Sequence, residues 1–179
     1  MEMVEFSGKY ILLLRPLALK HVTVCRLAYR HPLYVEMAKR SWVGWETLQS
    51  EHKTKLFSQC GGVDIGKINQ EQITDLQDTL RSCGVAYDTL DPKQLQDKFP
   101  QFSIREDMCA VYQPDAASLF ADRCRTAFTD SGKALGVDVL SNTKVTSFVP
   151  SDYDVQIQLN GQDRITAHRV ILAAGAWTS

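Results

Sequence analysis

The sequence predicts a mixed α and β fold on three observations. Helical stretches with legible ends alternate with short β-like runs through the first two-thirds of the chain. A succession of β-like runs follows, interrupted by Asn160-Gly161, a dipeptide in which both residues tolerate positive φ and which favours a hairpin. Near the end comes Val170-Ile171-Leu172-Ala173-Ala174-Gly175-Ala176-Trp177, an apolar run that gives way to small residues. A strand ending this way lets backbone approach a flat or charged ligand closely, and in open α/β sheets ligands sit at the carboxyl ends of strands. A core strand closing on a tight turn is the equal alternative.

A chain of 179 residues, 44% of them hydrophobic, can bury the core of one domain. A formal net charge of −1 gives no electrostatic basis for binding nucleic acid or an acidic membrane surface. The apolar run Tyr10-Ile11-Leu12-Leu13-Leu14 stops at Arg15, too soon for a membrane span or a signal peptide, and reads as a strand or a misplaced start. Cys25, Cys60, Cys83, Cys109 and Cys124 are odd in number and widely spaced, with no Cys-x-x-Cys. That argues against a disulfide framework or a zinc site and for reduced, partly buried thiols in an intracellular protein.

The elements follow in order. His31-Pro32 marks a boundary, because the residue before proline avoids the helical region. From Leu33 to His52, Tyr34, Met37, Ala38, Trp42, Trp45 and Leu48 fall at helical spacing, as an amphipathic helix with an aromatic stripe on its core face. Phe57 to Ile65 reads as one strand containing Gly61-Gly62; such glycines mark close approach by a backbone or a ligand, or a simple turn or bulge. Asn69 is a candidate cap for a helix over Gln70 to Cys83, with Gly84 just past its end. Asp91-Pro92 opens a short helix to about Asp97, and Phe99-Pro100 ends it. Met108 to Tyr112 is a strand. Ser118 to Leu135 reads as a helix, with Leu119, Phe120, Cys124 and Phe128 on one face and Gly136 as terminator. Val137 to Leu140, Lys144 to Val149, Val155 to Leu159 and Ile165 to Ala173 are the closing strands.

Several chemistries have no motif here. There is no Gly-x-Gly-x-x-Gly, no Gly-rich lysine loop, no Gly-x-Ser-x-Gly and no His-Glu-x-x-His. His21 and Cys25 lack further ligands, so no metal is expected, and His168 reads as a surface residue. Arg26 stands apart. Set in Val24-Cys25-Arg26-Leu27-Ala28-Tyr29, it needs a carboxylate or phosphate partner if its neighbours are buried. A solvent-facing arginine on a strand or loop is the other reading.

Taken together, four stretches resemble the FAD-dependent amine oxidases of the D-amino-acid-oxidase superfamily, in its sarcosine and pipecolate oxidase branch. Cys25 to Tyr29 with His31 to Tyr34 is similar to that family's arginine segment before its long helix. Trp42 to Glu51, followed by Gly61 to Gly66, resembles the helix-to-strand passage. Tyr112-Gln113-Pro114-Asp115-Ala116-Ala117-Ser118-Leu119 is similar to its Pro-Asp/Asn-x-Gly segment, with Ala117 where glycine is usual. Val170 to Trp177 matches the strand and turn that lie against FAD. The resemblance implies a partial FAD-binding fold with part of the antiparallel-sheet substrate domain. It implies Arg26 as the residue that binds the substrate carboxylate. It implies contact with FAD by the Val145 backbone at the adenine end and by Ala173, Ala174, Gly175 and Trp177 along the turn. The implied activity is oxidation of a secondary amino acid, sarcosine- or pipecolate-like, to an imine, with oxygen reduced to hydrogen peroxide. The implied compartment is peroxisomal or cytoplasmic.

The chain also departs from that pattern. Residues 1–20 form an atypical segment without the dinucleotide turn, ahead of a partial oxidoreductase domain over 21–179. Lys20-His21-Val22-Thr23 replaces the Ser-His-Gly run, and Thr23 stands where a second arginine is expected. No cysteine matches the one that holds FAD covalently. These departures imply a truncated member that retains little FAD, with a sheet edge open to self-association. The alternatives are a non-catalytic binding or regulatory remnant, and a dehydrogenase of the same superfamily with another electron acceptor.

Overall fold

The computed structural model describes residues 2–6, 9–14, 23–161 and 163–174, the first two as strand backbone. In chain order the elements are β1 (Glu2–Phe6), β2 (Lys9–Leu14), β3 (Thr23–Cys25), α1 (Pro32–His52), β4 (Phe57–Gln59), β5 (Gly62–Lys67), α2 (Glu71–Ser82), β6 (Asp88–Leu90) and α3 (Pro92–Lys98). They continue with β7 (Met108–Gln113), β8 (Ala117–Leu119), α4 (Ala121–Ala134), β9 (Asp138–Ser141), β10 (Val145–Pro150), β11 (Val155–Leu159), β12 (Asp163–Ala167) and β13 (Arg169–Ile171). The chain divides into two compact units, one of Lys20–Cys124 and one of Met1–Leu19 with Arg125–Ser179. This is the mixed α and β class the sequence predicts.

In the unit over 20–124, β7 is the central strand of an antiparallel sheet in the order β5-β7-β6. Alternate strand residues face opposite sides, and here both sides are covered. Cys109 and Val111 pack with Val35 and Ala38 of α1 and Ile73, Leu76 and Leu80 of α2. Ala110 packs on the other side with Leu90 and Leu95, flanked by Phe99 and Tyr112. Val35, Leu80, Leu95, Ala110 and Val111 are fully buried, and each large side chain among them contributes about 1.5–3 kcal/mol relative to exposure. A second sheet, β3-β8-β4, has β8 in the middle, with Ala117 paired to Cys25 on one side and Gln59 on the other.

The helix ends follow local chemistry. Pro32 occupies the first turn of α1, the His31 ring accepts from the Leu33 N–H at 3.2 Å, and Lys53 closes the helix at φ 49°. The core face of α1 differs from the expected stripe. Val35, Ala38 and Leu48 are buried, whereas Tyr34 and Met37 are more than half exposed. Asp91 and Gln94 form a reciprocal capping box on α3. Asn69 does not cap α2: it turns the chain at φ 62°, and Gln70 occupies the cap position without a side-chain capping bond, its Nε2 donating to Gln72 Oε1 at 3.1 Å. Instead, the Gln70 amide oxygen accepts from the Lys67 N–H at 3.3 Å.

Three expected elements divide differently. Phe57 to Ile65 is not one strand. Gly61 turns at φ 71°, and the Cys60 and Gly61 N–H groups both donate to the Ala116 carbonyl at 3.0 Å, so β4 and β5 enter different sheets. Ser118 and Leu119 lie in β8, and helix α4 starts at Ala121; its buried face carries Cys124 and Ala127, while Phe128 is exposed. Ile165 to Ala173 breaks at His168 into β12 and β13.

The other unit contains two sheets, β13-β1-β2-β9 and β10-β11-β12. Strand β2 coincides with the apolar run near the start and pairs parallel with β9. Strands β1 and β2 lie between β13 and β9, so the outer strands of that sheet are β13 and β9. Asn160 and Gly161 take φ 43° and 83° in the expected hairpin between β11 and β12. Ile157, Leu159 and Ala167 form the core here, with Val145, Phe148, Val155, Ile165 and Val170 against it.

Two glycines give opposite expectations. A Cβ on Gly61 would lie 2.6 Å from the Tyr112 ring at a left-handed φ, whereas one on Gly44, exposed in α1, meets nothing within 4 Å. Gly61→Ala should destabilise the protein by about 2–4 kcal/mol, and Gly44→Ala should stabilise it by about 0.5–1 kcal/mol. Urea unfolding of both variants checks this pair.

All five cysteines are free thiols; Cys60 is exposed, and Cys25, Cys109 and Cys124 are buried. Burial pushes the thiols of the last three above the ordinary range. Iodoacetamide at about pH 8 should therefore label Cys60 first and those three only on unfolding. Because their folded values are raised, the stability they contribute is complete below the ordinary thiol pKa. It is lost as pH rises through the raised values, which unfolding measured across the alkaline range will show.

Candidate functional site

Arg26 follows directly on β3, and its position is set by two attachments. Its Nη1 donates to Asp64 Oδ1 of β5 at 2.7 Å, and its guanidinium carbon lies 5.5 Å from the centre of the Tyr29 ring. The next residue, Leu27, donates its N–H to Gln113 Oε1 at 3.2 Å in a buried bond. Gln113 closes β7 and pairs with Gly62, the first residue of β5. Arg26, Asp64 and Gln113 are therefore tied to one another through β5, β7 and the end of β3.

These residues line a cavity of about 240 Å³ inside the unit over 20–124. Three chain segments enclose it: Val24 to Ala28, the turn at Cys60 to Asp64, and Gln113 with Ala116 to Ser118. Small residues keep it open. A Cβ on Gly62 would come to 3.0 Å from the Ala116 Cβ, and Ala117 carries only a methyl. Cys60 is at the wall, its Sγ 3.7 Å from Ser118 Oγ.

Electrostatically the cavity holds one cation and one anion. The Arg26 and Asp64 side chains are 41% and 29% exposed, so their pair is solvent-screened and stabilises by at most about 1 kcal/mol. Asp64 accepts only from Nη1 in the bonds described. A guanidinium offers five N–H donors in a planar fork, which leaves Arg26 able to grip a second carboxylate. One polar atom lacks a partner. Gln113 is 1% exposed, and its Nε2 has no acceptor among the described residues.

The expectation that Arg26 needs an anionic partner is met, but from within the chain. Asp64 and Gln113 carried no expectation of their own. The one available signal for Asp64 was a charge between Val63 and Ile65 in a strand-like run. Gly61-Gly62 makes the turn given as the alternative reading, with the Tyr112 ring and the Ala116 methyl close against it. Among the described residues no three metal-ligating side chains cluster, and no helix is long and apolar enough to cross a membrane.

The expected cofactor residues that are described, Val145, Ala173 and Ala174, belong to the other unit. Val145 begins β10 opposite Leu159, and both Val145 and Val170 pack on the core of Ile157, Leu159 and Ala167. Ala173 and Ala174 follow β13, the first exposed and the second half-buried. Gly175 and Trp177 lie outside the described residues. No glycine loop for a dinucleotide pyrophosphate occurs in the sequence. Of the expected FAD contacts, the described residues hold Val145, Ala173 and Ala174.

Comparison with known proteins supplies what these residues share with others. The DAO profile, described as FAD dependent oxidoreductase, matches residues 13–179. Monomeric sarcosine oxidase of Bacillus sp. (strain B-0618) is 28% identical over 148 residues, which cover 82% of this chain and 37% of that protein. N-methyl-L-tryptophan oxidase of Yersinia pestis (strain Pestoides F) is 24% identical over 144 residues, 80% of this chain and 38% of that one. The chain thus spans little more than a third of these curated relatives. Among solved structures, the open form of NikD, described as an unusual amino acid oxidase essential for nikkomycin biosynthesis, superposes with a TM-score of 0.78. It is 18% identical and covers 94% of this chain and 46% of its own. L-proline dehydrogenase from P. horikoshii superposes at 0.68 with 20% identity, over 80% of this chain and 38% of its own; at these identities the likeness is one of fold. The family match over nearly the whole chain places this protein in the DAO family of FAD-dependent oxidoreductases.

Proposed function

We propose that this chain contributes the carboxylate-binding part of an FAD-dependent oxidase of secondary amino acids, sarcosine- or pipecolate-like. The observation that carries the proposal is Arg26, a cation held at the wall of a cavity with donors to spare. The enzyme relatives named for sarcosine and N-methyl-L-tryptophan support the substrate class.

FAD, if bound, would supply the acceptor for the substrate's electrons. Arg26 holds the substrate carboxylate by charge-assisted hydrogen bonds. The Tyr29 ring, 5.5 Å from its guanidinium carbon, adds a cation–π contact. On this reading Val145, Ala173, Ala174, Gly175 and Trp177 lie along the cofactor, in a partial oxidoreductase domain over 21–179. The lack of a pyrophosphate loop favours a second reading, a non-catalytic module of the same fold. A dehydrogenase of the same superfamily, passing its electrons to a carrier other than oxygen, is the third reading.

Residues 1–179 incubated with FAD and desalted should leave without a flavin band and without a raised melting temperature; tight stoichiometric flavin would overturn that expectation. N-methylglycine should protect the wild-type chain against thermal unfolding. Arg26→Gln should weaken its apparent affinity about tenfold or more, and an unchanged affinity would remove Arg26 from the site. Oxygen uptake by a form spanning the relatives' full length separates oxidase from dehydrogenase.

A further inference from the structure

Gln113 is fixed in an unusual way for a buried amide. Its Oε1 is committed to the Leu27 N–H, the residue next to Arg26. That bond also sets the orientation of the amide, since only the oxygen can accept. The NH2 end therefore has a forced direction, and it has no acceptor among the described residues although the side chain is 1% exposed. A buried donor left without an acceptor is costly, and here its residue, Gln113, lines the cavity that also holds Arg26 and Asp64.

We propose that Gln113 and Asp64 are ligand-binding residues of this cavity, and that together with Arg26 they select a zwitterionic amino acid over a simple acid or a simple amine. The inference rests on the Arg26 reading above and extends it to residues that reading does not use. The ligand carboxylate accepts from the free N–H groups of Arg26 and from Gln113 Nε2. Its ammonium is attracted to Asp64, whose negative charge also penalises an acid that brings no cation of its own. The half-exposed ion pair gives way easily, because a screened pair of this kind contributes little by itself. No covalent step is involved.

The test uses the full chain of 179 residues with three probes: acetate, dimethylammonium and N-methylglycine. Nitrogen-edited NMR follows the Gln113 side-chain amide, and thermal shifts give apparent affinities. N-methylglycine should bind most tightly and move the Gln113 amide resonance downfield. Asp64→Asn, which keeps an acceptor for Arg26, should weaken N-methylglycine about three- to fivefold and strengthen acetate, narrowing or inverting the preference. Gln113→Glu keeps an acceptor for Leu27 and removes the donor; it should weaken both acetate and N-methylglycine about tenfold. Should that variant fail to fold, the wild-type amide shift decides by itself. A Gln113 resonance unmoved by saturating acetate and N-methylglycine overturns the proposal. So does Asp64→Asn with the wild-type order of probes. Arg26→Gln separates the two levels: if it abolishes binding while Asp64→Asn changes nothing, only this inference fails. If it changes nothing, or no probe binds the wild type, the Arg26 reading fails with it.

Discussion

Strand β7 imposes the constraint on which the unit over 20–124 depends. It is buried on both faces, so its residues must satisfy helices α1 and α2 on one side and the α3 cluster on the other. Register in such a strand is strongly specified, because a one-residue slip would exchange Val111 for Ala110 across the sheet. The same register puts Gln113 opposite Gly62 and delivers its amide to the backbone beside Arg26. Core packing and site geometry are thus one problem. Whatever holds Val111 in place also holds the residue that anchors the arginine segment.

The turn at Cys60-Gly61 serves the same arrangement from the other side. A single carbonyl, that of Ala116, accepts from two successive N–H groups and forces the chain out of one sheet and into the next. The Tyr112 ring occupies the space a side chain at Gly61 would need. Tyr112 is itself in van der Waals contact with Phe99, and Lys98 sits 3.9 Å over its ring. The cavity is the space left where two small sheets part, and its small-residue lining follows from the closeness of their connections. It needs no large motion to exist.

What could be read from the sequence divides along the range of the forces involved. Asp91-Pro92, Gly84, Gly136 and Asn160-Gly161 act within a few residues, and each falls where local chemistry places it. The helix over 32–52 was legible by its spacing, but its buried face was not. Apolar spacing gives a stripe and leaves its rotation to the partner, and α2 and β7 select Val35 and Ala38 over Tyr34 and Met37. Ser118 and Leu119 had a helical pattern, yet pairing with β3 and β4 outweighs it. Arg26 was legible as an arginine in need of an anion. Asp64 was not legible as that anion, since the pairing spans 38 residues of sequence and depends on two sheets meeting.

The charge balance of the cavity follows from the same long-range pairing. An arginine among apolar neighbours is costly when unpartnered, and a carboxylate on the adjoining strand relieves that cost in the ligand-free chain. A fully buried pair would hold too firmly to yield to a small ligand. This one does not, because both side chains keep contact with water and the pair is bound through one guanidinium nitrogen. Gln113 supplies the opposite property. It is neutral and buried, with its oxygen bonded to the Leu27 N–H, so it can add direction to an incoming oxygen without adding charge. A water-exposed ion pair beside a buried neutral donor lets one cavity discriminate by charge pattern, which a lone arginine could not do.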